Sequence, residues 1–88
     1  MQIEANGINF VCRIDGPDDA PWLTFSNSLN TNFALWDAQI ELLKDRYRIL
    51  RYNTRGHDGT DAPPGPWDLQ DLAGDIVGLW DTLGIARS

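Results

Sequence analysis

A single cysteine, Cys12, leaves no disulfide framework within the chain. With no CxxC pair and no Cys/His spacing there is no zinc pattern either, so Cys12 reads as a small buried hydrophobe in a reducing compartment. Basic residues are equally sparse: seven Lys and Arg face thirteen Asp and Glu, for a net charge of −6. Nucleic-acid binding draws its affinity from clustered cations that release counterions, and these seven are scattered, so no nucleic-acid partner is expected. No run approaches the ~18 apolar residues of a membrane span. The amino end lacks a basic segment followed by an apolar stretch. No membrane association is expected, and a cytoplasmic location is the default expectation. What is present is apolar mass: 42% hydrophobic residues, including four tryptophans and three phenylalanines. That is a globular composition. A chain this short buries only about 60 to 65% of its unfolded surface, so its stability alone is expected to be marginal.

Taken in order, Gln2–Ala5 and Ile8–Ile14 flank Asn6-Gly7, the dipeptide that accepts the positive φ angles of a two-residue hairpin. In the second arm Ile8, Phe10, Cys12 and Ile14 share a face by the period-2 rule, and that face is expected to be buried. Trp22–Phe25 is nearly continuous in apolar residues, which predicts an interior strand covered on both sides. Ser26–Asn32 is a loop rich in groups that bond their own backbone. From Phe33 the positions Phe33, Trp36, Ile40 and Leu43 follow helical spacing, with Asn32 as cap and an end near Lys44 to Tyr47. Arg48–Tyr52 is a further strand. A second helix follows Asp68, its stripe expected to run through Leu69, Leu72, Ala73, Ile76, Val77, Trp80 and Leu83, with Asp71, Asp75 and Asp81 pointing away and Gly84 closing it.

The order strand, strand, strand, helix, strand, helix predicts an α/β fold in one domain, residues 1–88. A crossover helix normally returns the chain to another parallel strand, and none follows the second helix. The 88 residues are therefore expected to be the amino-terminal part of a larger sheet. Loops at the carboxyl ends of strands in such sheets are where ligands bind. This directs attention to Tyr52–Thr60, which holds the only histidine, His57, without a nucleophile beside it. Consecutive side chains diverge, so Asp58 is poorly placed to orient His57 as a catalytic base, and a structural role is expected. Arg55 reads as a loop-holding charge or a substrate clamp. Trp67, flanked by prolines, is the tryptophan expected to border a pocket.

Ser26-Asn27-Ser28-Leu29 after an apolar strand, Trp36-Asp37, the run from Arg48 through Arg55-Gly56-His57, and Leu79-Trp80-Asp81-Thr82-Leu83-Gly84-Ile85 together resemble the first third of 3-oxoadipate enol-lactonases, members of the α/β-hydrolase superfamily. The resemblance implies cofactor-free hydrolysis of a small ester or lactone by a Ser, Asp, His triad, with no metal. The nucleophile would lie on the turn after the next strand, in a GxSxG motif this sequence does not contain. A complementary carboxyl-terminal chain or downstream segment would supply it. What these residues would contribute is half of an oxyanion hole: the backbone N–H of Leu29, with Ser28 and Asn27 shaping the turn and Asn30 beside them. From the residues alone, Ser26–Asn32 reads first as a capping loop before a helix. Substrate contacts implied in the same way are Asn27, Asn30, Arg55 and Trp67.

Four positions depart from the family pattern: Asn30, Asn53, Asp58 and Thr60 stand where Gly, Asp, Gly and Ser are usual. Loss of a carboxylate at 53 is expected to remove a partner for Arg55, and Asp58 to cost about 1 kcal/mol in a left-handed site. These changes imply altered efficiency or substrate. The competing reading is a non-catalytic module that dimerises or binds a partner through its helices and an open strand edge.

Overall fold

The structure, a computed structural model, describes residues 1–27 and 31–88. A four-stranded mixed sheet runs in the order β1-β2-β4-β3, with β1 at Gln2–Ala5, β2 at Ile8–Asp15, β3 at Trp22–Ser26 and β4 at Arg48–Tyr52. Asn6 and Gly7 take φ of 52° and 73°, the mirror-image turn whose twist matches that of the strands it joins. β1 therefore pairs antiparallel with β2, Ile3 opposite Phe10 and Ala5 opposite Ile8. β4 lies antiparallel to β2 and parallel to β3.

Alternation along the strands sorts side chains to two faces. Ile3, Ala5, Ile8, Phe10, Cys12, Leu50 and Tyr52 form one buried cluster with Leu79 and Ile85. Phe10 and Tyr52 meet edge-to-face at 6.0 Å. The helix that covers this face is α2, Leu69–Leu83, started by a reciprocal capping box between Asp68 and Asp71 and closed by left-handed Gly84. On the opposite face Ile49 and Arg51 of β4 lie under a 3₁₀ turn at Phe33–Trp36 that runs into α1, Asp37–Leu43. Asn32 caps that turn by accepting from the Ala34 N–H. Arg51, fully buried, donates to Asp37 at 2.6 Å, Asp15 at 3.1 Å and the Phe33 carbonyl at 3.3 Å, and so fixes the turn to the sheet.

The hairpin, its buried face and both caps agree with the sequence reading. Three expectations need correction. Trp22–Phe25 is an edge strand, half-buried along its length, because among the described residues only β4 pairs with it. The 33–43 segment opens as a 3₁₀ turn before becoming α-helical, although its end, capped at Lys44, lies where expected. On α2, Leu69 and Val77 are 82% and 51% exposed, whereas Leu79 and Asp75 are buried. The face that meets the sheet carries Asp75, Ile76, Leu79, Trp80 and Leu83, so Ile76, Trp80 and Leu83 lie as expected while the stripe is rotated away from Leu69 and Val77. The cause is close packing on the hairpin: a Cβ at Gly78 would lie 3.1 Å from the Asn6 Cβ, so the bare glycine faces the turn.

Candidate active site

Because β3 and β4 are parallel and end in register, Ser26 beside Tyr52, the chain leaves both strands on the same side of the sheet. Two loops start there, 27–32 and 53–68. They are bonded to one another through side-chain amides. Asn27 accepts the Thr54 N–H at 2.7 Å and donates to the Thr31 carbonyl at 3.0 Å. Asn53 accepts the Phe33 N–H at 2.7 Å and donates to the Asp58 carbonyl at 3.0 Å. Asn32 adds a third tie, donating to the Asp58 carboxylate at 2.8 Å. Beneath them Trp36 donates to the Ser26 carbonyl at 2.7 Å, and the Ser26 and Tyr52 hydroxyls lie 2.7 Å apart. Burial pushes the Tyr52 phenol above its usual range against the lowering effect of Ser26. It stays neutral and able to donate.

The 53–68 loop is fastened to the hairpin and to α2 as well. Thr60 Oγ1 accepts from the Val11 N–H at 3.0 Å and donates to the Asn53 carbonyl at 2.9 Å, while Asp61 accepts from the Asn9 N–H at 2.9 Å. Arg55 makes a two-pronged pair with Asp75, Nε and Nη2 each 2.7 Å from a carboxylate oxygen. Asn6 donates to the same carboxylate at 2.9 Å. These bonds hold the guanidinium charged and raise its pKa, against the lowering effect of burial. The ring of Trp67 lies under Arg55, 5.4 Å from the guanidinium carbon, and its N–H donates to the Pro63 and Pro64 carbonyls.

Several expectations are settled by this geometry. Asp75 does not point away; it is the counter-charge of Arg55. Loss of a carboxylate at 53 therefore takes nothing from Arg55, which is matched elsewhere. Asp58 does adopt a positive φ, 27°, yet its carboxylate and carbonyl both receive donors, so the departures at 53 and 58 are satisfied together. His57 Nδ1 lies 2.9 Å from the Thr54 hydroxyl and 3.1 Å from the Arg55 carbonyl. Ser28, Leu29 and Asn30 lie outside the described residues. Asn27 and Trp67 stand at the two loops, Asn27 at the junction and Trp67 partly exposed over Arg55.

Sequence reasoning missed Asp75, and the signal was there: an acid on the stripe between Leu72 and Ile76, with an arginine in a loop that needed a partner. Among the described residues no three His, Cys, Asp or Glu side chains gather closely enough to hold a metal ion. Two surface cavities lie away from the loops, one of about 450 Å³ by Pro21, Trp22 and Ala86, the other of about 270 Å³ by Asp15, Asp37 and Arg51.

No protein-family model matches the chain. It superposes on an enol-lactonase from Burkholderia xenovorans with a TM-score of 0.97 and 44% identity, covering 100% of this chain and 35% of that one. The fold is that of the α/β-hydrolases. A structure described as a novel epoxide hydrolase of the alpha/beta hydrolases superfamily, from hot-environment metagenomes, agrees at TM-score 0.91 and 34% identity over 97% of this chain and 30% of that one. In sequence the chain is 40% identical to 3-oxoadipate enol-lactonase 1 of Acinetobacter baylyi over all 88 residues, which is 33% of that protein. It thus spans about a third of the length of these α/β-hydrolases.

Proposed function

We propose that this chain is the amino-terminal part of a cofactor-free carboxylic-ester hydrolase of enol-lactonase type, and that it supplies one side of the oxyanion hole through the backbone N–H of Leu29. Attack on an ester carbonyl turns its oxygen negative, and a fixed N–H aimed at that oxygen is worth about 3 to 4 kcal/mol in a comparable hydrolase. The observation that carries the reading is the lacing of loops 27–32 and 53–68 at the ends of β3 and β4. It ties Asn27 to Thr54 and Asn32 to Asp58, the two asparagines that stand on either side of residue 29 in the sequence. The likeness to 3-oxoadipate enol-lactonases supports an enol-lactone as substrate. None of the described helices is long and apolar enough to cross a membrane. The serine, the triad acid and base, and the second oxyanion donor come from outside residues 1–88, from a downstream segment or a complementary chain. Assay of the 88-residue chain with an aryl ester and an enol-lactone tests this: no turnover is expected, and turnover by this chain alone would overturn it.

The open edge of β3 and the exposed Leu69 and Val77 favour a second reading, a non-catalytic docking module. A monomer that unfolds cooperatively as the isolated 88 residues would count against both docking and the need for further strands.

A further inference from the structure

We propose that Asp58 sets the charge preference of the site: its carboxylate, held where the two loops meet, disfavours substrates that carry a carboxylate of their own and favours neutral or cationic esters and lactones. This rests on the functional reading above and narrows its substrate class. Loops 27–32 and 53–68 leave the sheet together at the ends of β3 and β4, and Asp58 stands on that side, exposed to solvent. Its orientation is fixed. Oδ2 accepts the Asn32 amide at 2.8 Å, the Asp58 carbonyl accepts Asn53 Nδ2 at 3.0 Å, and the backbone is held at a φ of 27°. An amide aims a carboxylate without cancelling its charge.

The surrounding charges leave that field standing. Arg55, three residues earlier, gives its guanidinium to Asp75 in a two-pronged pair. Arg51, buried under the 3₁₀ turn, is paired with Asp15 and Asp37. Asp61 adds a second exposed carboxylate to the same loop, and it accepts only a backbone N–H, that of Asn9, among the described residues. His57 lies with Nδ1 against the Thr54 hydroxyl and the Arg55 carbonyl. Among the described residues no Lys or Arg forms an ion pair with Asp58, and the chain as a whole carries −6. A surface lined by one sign of charge changes the local concentration of a charged substrate by about tenfold or more. The field reaches roughly 10 Å at 0.1 M salt and is screened beyond that. Because it acts on a group remote from the reacting carbonyl, it is felt equally in the bound substrate and the transition state, and so in KM rather than kcat.

The test measures kcat and KM for three aryl esters whose acyl chains end in a methyl, a carboxylate or a trimethylammonium group, in the protein as its own gene encodes it, at about 0.01 M and about 1 M salt. D58N removes the charge and keeps an oxygen for the Asn32 amide. D45N removes a charge from the opposite end of the sheet, ahead of β4, and is the control. At low salt D58N is expected to raise the carboxylate-to-methyl ratio of kcat/KM about tenfold, through KM, and to lower the trimethylammonium-to-methyl ratio by a similar factor. Both effects should shrink at high salt, and D45N should move neither ratio. Ratios that D58N leaves in place, or that D45N moves as far, would overturn the role of Asp58 and leave the hydrolase reading standing. A second arm reads binding without turnover, as NMR shifts of the Asn32 side-chain amide on titration with butyrate and with tetramethylammonium. Wild type is expected to respond more to tetramethylammonium, and D58N to lose that preference. This result in a protein that hydrolyses none of the three esters would uphold the charge preference and overturn the hydrolase reading; neither turnover nor a charge-ordered shift would overturn both.

Discussion

Asp75 shows how a residue's role depends on a partner distant in sequence. On helix α2 it lies one position before Ile76 and looks like part of a solvated acidic face. In the fold it is 1% exposed and neutralises Arg55 from the loop twenty residues earlier. Removing one member of a buried pair leaves the other charge stranded, at about 3 to 5 kcal/mol. Asp75→Ala is expected to destabilise by that amount in denaturant unfolding, and Arg55→Ala similarly. Cys12 gives a different prediction. Burial pushes its thiol from 9.0 up to about 11, and burial likewise raises Tyr52 from 10.0. Both groups hold their protons more tightly folded than unfolded, so this stabilisation is complete below pH 9 and is lost as pH rises toward 11. For Cys12 the loss is roughly 2 to 3 kcal/mol. Cys12→Ala should flatten the first part of that alkaline decline, read by thermal unfolding between pH 8 and 11.

Among the elements, the hairpin and the caps were legible because their determinants are local: Asn6-Gly7 for the turn, Asn32 and Asp68 for helix starts, Gly84 for a helix end. The rotation of α2 was not, since it follows from which side of the helix can approach Asn6. Its two glycines separate these effects. At Gly74 an added Cβ would meet nothing closer than 3.8 Å, so Gly74→Ala should gain up to about 1 kcal/mol of helix propensity. At Gly78 the same methyl would press to 3.1 Å on the Asn6 Cβ, and the gain should vanish or reverse. Chemical denaturation of the two variants side by side reads the difference. The bonds of the two asparagines were illegible for the same reason as the rotation: Asn27 reaches the Thr54 N–H and Asn53 the Phe33 N–H only once β3 and β4 lie parallel. Read as a departure from a family pattern, Asn53 looked like a lost charge; in the fold it is an acceptor and a donor, both used.

For the whole molecule, a sheet that ends on an apolar, half-buried parallel strand and a chain that spans about a third of its relatives lead to one account. In the proposed function residues 1–88 are one wall of a hydrolase site, with the nucleophile outside them. The direct measurement is a chimaera in which these 88 residues replace the matching first third of the enol-lactonase of known structure, assayed for enol-lactone hydrolysis. The account predicts a folded chimaera with kcat within about tenfold of that parent, since the laced loops and the residue 29 donor would be intact. A chimaera that folds cooperatively yet loses a thousandfold or more in kcat would contradict it.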